Sequence, residues 1–376
     1  MRIGFDGKRA VQNFTGLGNY SRYVADILCH FYPENDYVLY APKKRENKRM
    51  NLLTGQYRQL TLAYPATSFW KKLSSLWRVW GITSQLEKEG IELFHGLSNE
   101  LPLNIHKSRI KSIVTIHDLI FLRYPQYYQS IDRKIYTYKF RKACENADKI
   151  IAISECTKRD IISFFHIPEE KIDVVYQGCD AQFKQTVPEN TKEGIRRKYQ
   201  LPQRYILYLG SIESRKNLLL IAKALLHIQE PITVIAIGKR TPYAETVEDF
   251  LRKNHLENRM RLLSNIPFKE LPAFYQMATT FVYPSFFEGF GIPLLEALNS
   301  GVPAIGATGS CLEEAGGPHS IYIHPEDDKG LAKAIEQTLT DQSLRERMIK
   351  EGKKYALLFE EEKLTKDLLN VYRKTI

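Results

Sequence analysis

Glu288 and Glu296 stand eight residues apart in the segment Glu288-Gly-Phe-Gly-Ile-Pro-Leu-Leu-Glu296, around a glycine-rich turn and the start of a predicted helix. Gly289 and Gly291 let the backbone approach a ligand closely or take φ > 0. Pro293 suits the first helical position, where its missing N–H would be unpaired anyway. Glu296 then falls in the first turn. A helix start behind such a turn presents backbone N–H groups and the positive end of the macrodipole, which favours an anionic ligand such as a phosphate. Two glutamates against the phosphate itself would repel it, so they are better suited to accepting hydrogen bonds from hydroxyls, as a sugar or ribose offers. In isolation an ordinary strand-to-helix turn with a solvated glutamate would read the same way.

Three other segments carry side chains or backbone of the right kind. Gly16 and Gly18, in Thr15-Gly-Leu-Gly-Asn-Tyr20, lead into the apolar periodicity of Leu17–Phe31 and can bring N–H groups against a phosphate, although a tight strand–helix turn needs no more than this. Arg215 and Lys216, in Gly210-Ser-Ile-Glu-Ser-Arg-Lys-Asn217, follow the predicted strand Tyr205–Leu209 and put two cations where a departing diphosphate would need them. With no acidic cluster of metal-ligand spacing nearby, these cations can do the work that Mg²⁺ performs in other phosphate sites. His117, in His117-Asp-Leu119 after the strand Ser112–Ile116, can hydrogen-bond a hydroxyl or assist a proton transfer. A structural histidine whose ring is held by Asp118 fits the spacing equally.

The elements that must position these residues alternate short apolar strands with helical patterns, the mark of parallel sheets built from βαβ units. In the first half strands are expected at Arg2–Asp6, Tyr37–Ala41, Leu93–His95, Ser112–Ile116, Ile150–Ile153 and Ile172–Val175, with helices at Leu17–Phe31 and Ile131–Ala147. A second series has strands at Tyr205–Leu209, Ile232–Ile237, Arg261–Leu263, Thr280–Val282 and Pro303–Ile305, with helices at Leu218–His227, Thr246–Asn254 and Lys269–Met277. Phe183–Lys198, with Pro188 and a charged run, reads as a connection, and helical patterns at Lys329–Thr340 and Ser343–Arg373 close the chain. The expectation is two doubly wound α/β domains, in which ligands bind beyond the carboxyl ends of the strands.

The 376 residues suffice for two cores, and 43% hydrophobic with 26% charged residues is a globular composition. No uninterrupted apolar stretch approaches the ~20 residues that span a bilayer. The start, Met1-Arg-Ile-Gly-Phe-Asp-Gly-Lys8, meets a charge and glycines too early for a secretory signal, so a cytoplasmic location is expected. Five scattered cysteines without a C-x-x-C pair indicate neither a disulfide framework nor a zinc site. A formal charge of +11 implies an anionic partner without choosing among nucleic acid, membrane headgroups and phosphorylated substrates.

Taken together, Gly16-Leu-Gly18, Thr115-Ile-His-Asp-Leu119, Ile153-Ser-Glu-Cys-Thr-Lys158, Tyr176-Gln-Gly-Cys-Asp180, Glu213-Ser-Arg-Lys-Asn217 and the Glu288–Glu296 segment resemble the retaining glycosyltransferases of family 4, over nearly the whole chain. The resemblance implies the GT-B fold, two Rossmann-like domains facing a central cleft. Residues 1–185 would form the acceptor-side domain, 186–358 the nucleotide-sugar domain, and 359–376 a helix crossing back to the first. It further implies that Glu296 accepts hydrogen bonds from the nucleotide ribose and Glu288 from the transferred sugar. Phe290, Gly291, Ile292 and Leu295 would complete the donor site. Arg215 and Lys216 would stabilise the diphosphate, with the Gly16–Gly18 loop closing on it and His117 reaching the donor sugar. The implied activity is metal-independent transfer, with retention, of a hexose from a GDP- or UDP-sugar, mannose first, to a glycan or lipid-linked glycan. Two departures stand out: many relatives have an arginine where Ser211 follows Gly210, and an asparagine where Gln177 stands.

Phe69, Leu73, Leu76, Trp77 and Trp80 fall on one face of a predicted helix, with Lys71, Lys72 and Arg78 away from its centre. This interfacial pattern, the basic Lys43–Arg49 run and the tyrosine-rich basic Arg123–Lys142 segment suggest that the first domain touches an anionic membrane or a lipid-diphosphate acceptor. A stripe packed on the domain core, with solvated lysines, is the other reading. Two further functions stay in view: a nucleotide-sugar epimerase of the same fold, and a basic nucleic-acid-binding protein, for which no helix-turn-helix, RNP or zinc motif is present.

Overall fold

The computed structural model describes residues 1–376 and divides into two compact units, Met1–Gln177 with Glu361–Ile376, and Gly178–Glu360. In the first unit seven strands, β1 (Arg2–Asp6), β2 (Asp36–Tyr40), β3 (Leu60–Ala63), β4 (Leu93–Gly96), β5 (Lys111–Ile116), β6 (Lys149–Ala152) and β7 (Ile172–Val174), form a parallel sheet in the order 3-2-1-4-5-6-7. Its strands are apolar runs because helices cover both faces, so both sides of the pleat are buried. Ile3, Phe5 and Leu39 belong to one core cluster, Val38, Tyr40 and Val114 to another. The second unit repeats the plan with β8 (Tyr205–Leu209), β9 (Thr233–Ile237), β10 (Met260–Leu263), β11 (Thr280–Tyr283), β12 (Ala304–Ala307) and β13 (Ile321–Ile323) in the order 10-9-8-11-12-13. In both sheets the order reverses beside the first strand of the unit. The crevice for a ligand therefore lies between the loops after β1 and β4 in one unit, and after β8 and β11 in the other.

The two strands absent from the sequence reading, β3 and β13, are edge strands with half-exposed residues, so their apolar runs are short and mixed. The expected connection Phe183–Lys198 instead contains the helix Glu189–Tyr199, opened by Pro188 and burying only Ile195, which is why its composition reads as a linker. The units accordingly part at Gln177/Gly178, upstream of the expected 185/186 division. The predicted helix Ser343–Arg373 is broken at Leu357–Phe359 into Gln342–Ala356 and Glu361–Thr375.

The helix Glu361–Thr375 packs Leu368, Leu369, Val371 and Tyr372 into the first unit's core. Its anchor is polar as well as apolar. The Tyr372 hydroxyl lies 2.6 Å from Nδ1 of fully buried His95 on β4, whose Nε2 is 2.7 Å from the Thr115 hydroxyl on β5. Burial, with His117 nearby, pushes the His95 imidazole down to about 3, so the ring is neutral and each nitrogen needs its partner. Tyr372→Phe is expected to leave Nδ1 unpaired and to cost about 1–3 kcal/mol in denaturant unfolding, far more than a surface Tyr→Phe change.

The expected single helix over Phe69–Trp80 is interrupted: Ser68–Lys72 ends at Leu73, a short turn Ser74–Leu76 follows, and Trp77–Gly81 is a π-helical turn leading into Ile82–Lys88. Gly81 is required there, since a Cβ would lie 2.6 Å from the Trp70 ring. Trp77 leaves the apolar stripe and is fully buried, its indole N–H donating to Gln85 Oε1 at 3.1 Å. Arg78 is not a solvated flank either. It is clasped by Asp6 at the end of β1 and donates to Glu100 at 2.7 Å.

Candidate active site

In the second unit the loops after β8 and β11 meet at the point where strand order reverses. After β8 the chain makes a 3₁₀ turn, Ser214–Lys216, and Asn217 takes a left-handed conformation (φ 59°) before the helix Leu218–Ala224. The Asn217 side chain holds that geometry by donating to the Pro284 carbonyl at 3.1 Å and the Pro325 carbonyl at 2.7 Å. The result aims Arg215 and Lys216 at the loop after β11, where they converge on Glu288.

Glu288 Oε1 accepts from Lys216 Nζ (2.9 Å), Tyr283 OH (2.9 Å) and Ser285 Oγ (2.8 Å), and lies 3.1 Å from Arg215 Nη1. All four contacts fall on Oε1, which leaves the Oε2 lone pairs unspent by them. Burial alone would raise this carboxyl, but Lys216 and Arg215 outweigh it and bring it down to about 2. Arg215 also donates to the Phe287 carbonyl (2.5 Å) and Glu213 (3.0 Å), and, despite burial, Glu288 and Glu213 hold it firmly protonated. Lys216 donates to Tyr283 OH at 2.5 Å and sits 5.1 Å from that ring's centre, which leaves one of its three ammonium hydrogens for another acceptor. The cations are therefore not a bare positive patch. Two carboxylates neutralise them, and what they offer an anion is directed N–H donors.

Beyond Glu288, Gly291 (φ 120°) caps the helix Ile292–Asn299. Only glycine fits: the φ is outside the range of L side chains, and a Cβ would meet Leu312 Cδ2 at 2.9 Å. The helix thus starts one residue before Pro293, and Glu296 lies in its second turn rather than the first. Glu296 is buried, its Oε2 accepting from Tyr275 OH at 2.9 Å. Burial pushes its carboxyl from 4.5 up to about 8, with the Tyr275 hydroxyl opposing and Asp180 adding to the rise. Because the folded chain keeps a proton that the unfolded chain releases, this stabilisation is complete below about pH 4.5 and lost as pH rises through 8. Glu296→Gln should match the wild type in thermal unfolding at pH 5 and exceed it at pH 9. Parallel curves would contradict the raised value. Of the remaining donor-site candidates, Phe290 packs its ring 5.6 Å from Phe359, and Leu295 is fully buried, so the Leu295 side chain serves the core rather than a ligand.

The first-unit candidates are His117, Gly16 and Gly18. His117 is buried beyond β5, its Nε2 donating to the Leu97 carbonyl at 2.9 Å, which leaves Nδ1 as the acceptor, 3.4 Å from Gln177 Nε2. Tyr20 meets the ring edge-on at 4.6 Å, and burial lowers the imidazole to about 4. His117 is therefore a neutral hydrogen-bond acceptor at Nδ1, not an acid. Gly16 and Gly18 are the first and third residues of the helix Gly16–Phe31, not a loop before it. A Cβ on Gly18 would lie 2.0 Å from the Asn13 carbonyl oxygen, so packing alone demands that glycine, whereas Gly16 faces open space.

Tyr283, Ser285 and Tyr275 were not singled out from sequence, and Asn217 entered only as the last residue of the Glu213–Asn217 motif, with no role of its own. Tyr283 and Ser285 sit within five residues of Glu288 at the end of a strand, a usable signal, whereas Tyr275 is tied to the site only by the fold. No three His, Cys, Asp or Glu side chains gather in a way that could hold a metal ion, and no helix is long and apolar enough to cross a membrane.

Two family models match consecutive stretches, Glycosyltransferase Family 4 over residues 21–183 and Glycosyl transferases group 1 over 191–355. The O-antigen chain mannosyltransferase B of Escherichia coli is 31% identical over 289 residues, 75% of this chain and 74% of that protein. The chain belongs to the group 1 glycosyltransferases. The serotype-specific mannosyltransferase WbdA of Escherichia coli is 30% identical over 272 residues, and there the match spans about a third of the longer relative, 32%. Among solved structures, a glycosyltransferase from Rickettsia africae superposes with a TM-score of 0.78 at 15% identity, covering 100% of this chain and 98% of that one. Anabaena HepE in complex with UDP gives 0.78 at 17%, covering 100% of both. This glycosyltransferase thus has two Rossmann-like parallel-sheet domains of the GT-B type, and the charge-based alternative of a nucleic-acid-binding protein is set aside.

Proposed function

We propose that the enzyme transfers a hexose, mannose first, with retention from a nucleotide diphosphate sugar to a growing glycan on a lipid carrier, at the cytoplasmic face of a membrane. The observation that carries the donor reading is the convergence of Arg215 and Lys216 on one oxygen of Glu288 beside the glycine-capped helix at Ile292. In this reading the free oxygen of Glu288 takes a sugar hydroxyl, while the spare Lys216 hydrogen and Arg215 meet the diphosphate as negative charge develops on it. Glu296 takes the ribose hydroxyls. In the first unit, neutral His117 offers Nδ1 to a hydroxyl in exchange for its long 3.4 Å contact from Gln177.

Directed cations supply what a metal would, so the reaction is proposed to be metal-independent. The acceptor attacks the face from which the diphosphate departs, and a phosphate oxygen takes the acceptor's proton. A carboxylate held near pH 2 by two cations is a poor nucleophile, which favours orientation over covalent catalysis for Glu288. Mannose rests on the two mannosyltransferases to which the chain is similar.

The test is incubation with GDP-mannose and a lipid-linked glycan, following product by mass and anomeric configuration by NMR. Transfer with an α product from the α donor is expected. Release of free sugar from donor alone, at the same rate with or without acceptor, would instead identify the epimerase reaction.

A further inference from the structure

The helix Ser130–Asn146 buries only Ala143 and Cys144 of its seventeen residues. Of the fifteen large hydrophobic side chains exposed in the whole chain, eight lie within Phe69–Trp80 and Ile131–Tyr138, led by Ile131 (66%) and Phe69 (61%). Such clustering marks a surface that something covers. The two segments are joined by a pocket of about 340 Å³, walled by Val79, Leu101, Leu103, Ile135 and Tyr138. A main-chain bond from Leu103 N–H to the Val79 carbonyl (2.9 Å) ties its floor together.

The charged residues lining the pocket are Lys134, Lys139 and Glu100. Glu100 is already engaged by Arg78 at 2.7 Å and by Lys139 at 3.6 Å, and burial notwithstanding, those cations keep it ionised. The exposed helix carries five cations, Arg133, Lys134, Lys139, Arg141 and Lys142, against Asp132 and Glu145. An apolar interior with a cationic surplus at its mouth is complementary to an anionic amphiphile. Glu100 and Arg78 also connect the pocket to Asp6, at the end of β1, and so to the β1–β4 crevice where strand order reverses.

We propose that this pocket seats the phosphate-proximal hydrocarbon of a lipid phosphate, with Lys134 and Lys139 on its phosphate, so that the lipid carrier of the acceptor enters the first unit here. The proposal rests on the lipid-linked acceptor of the preceding section and adds its place of binding. The volume lies at the lower end of ligand pockets, about 300–1,000 Å³, which suits a few carbons near the head while the rest of the chain stays in the bilayer.

The probe is farnesyl phosphate below its micelle threshold, titrated calorimetrically into the full-length protein, with farnesol and inorganic phosphate as controls. Ile135→Asp and Lys134→Glu change exposed side chains and so spare the fold. Binding of farnesyl phosphate, weakened roughly tenfold or more by Ile135→Asp and several-fold by Lys134→Glu, is expected. Equal binding of inorganic phosphate, unchanged affinity in both variants, or binding only to phosphatidylglycerol vesicles and not to the monomeric amphiphile would overturn it. Nucleotide-sugar binding, read in the same preparations, should be the same in both variants and reports on the donor site separately.

Discussion

Lys216→Ala is expected to lower turnover by roughly 10²- to 10³-fold while the protein keeps its fold, with the larger part of the loss in kcat rather than KM. The reason lies in where the Lys216 donors go. Two of them serve Tyr283 and Glu288, so the third is the one proposed to meet charge developing on the leaving diphosphate. Glu288 retains Arg215, Tyr283 and Ser285 when Lys216 is gone, so no buried carboxylate is orphaned. Lys216→Arg should recover little, because a planar fork does not reproduce a point donor held against Tyr283. Steady-state kinetics with a nucleotide sugar, beside thermal unfolding, separates the two effects. A variant within threefold of wild type would remove Lys216 from the chemistry.

Glu288→Ala should be costly in both stability and turnover. Removing one partner of a buried ion cluster leaves Lys216 without a carboxylate and Arg215 with Glu213 alone, at about 3–5 kcal/mol, which for a unit of this size lowers the midpoint by on the order of 10 °C. The pH dependence has a definite sign. The carboxyl titrates near 2 in the folded chain against an ordinary 4.5, so its contribution is present above 4.5 and lost as pH falls towards 2. Wild type and Glu288→Ala should therefore converge in stability as pH drops through that window. Glu288→Gln separates structure from chemistry, since the amide oxygen can keep the contacts to Ser285 and Tyr283 while the NH2 puts a donor where the sugar hydroxyl is proposed to find an acceptor. It should recover part of the stability and remain at least tenfold slow.

The site was legible where local chemistry is dense. Glycines, a proline and two carboxylates within nine residues announce a turn into a helix start, and that start is there with its register shifted, because Gly291 at φ 120° caps a helix that begins with Ile292. The cationic pair was legible for the same reason, following a strand that could only be buried. What could not be read locally is what the pair binds: Glu288 lies 72 residues on, and only the adjacency of β8 and β11 brings them together. Arg78 misled for a related reason. On its own segment it is a flanking cation, and its role depends on Asp6, 72 residues away at the end of β1. His95 and Tyr372, 277 residues apart, show how the last helix is fixed to the first sheet by a contact no periodicity reveals. The edge strands β3 and β13 escaped because a strand with one partner and an exposed flank need not be continuously apolar.

The most direct test of the donor site is calorimetric titration of Arg215→Ala/Lys216→Ala with guanosine diphosphate and with guanosine. Loss of roughly 100-fold or more for the diphosphate, with guanosine affinity unchanged, is the predicted result, since the two side chains address phosphate and not the nucleoside. Equal affinities of wild type and variant for the diphosphate, or an equal loss for both ligands, would contradict it.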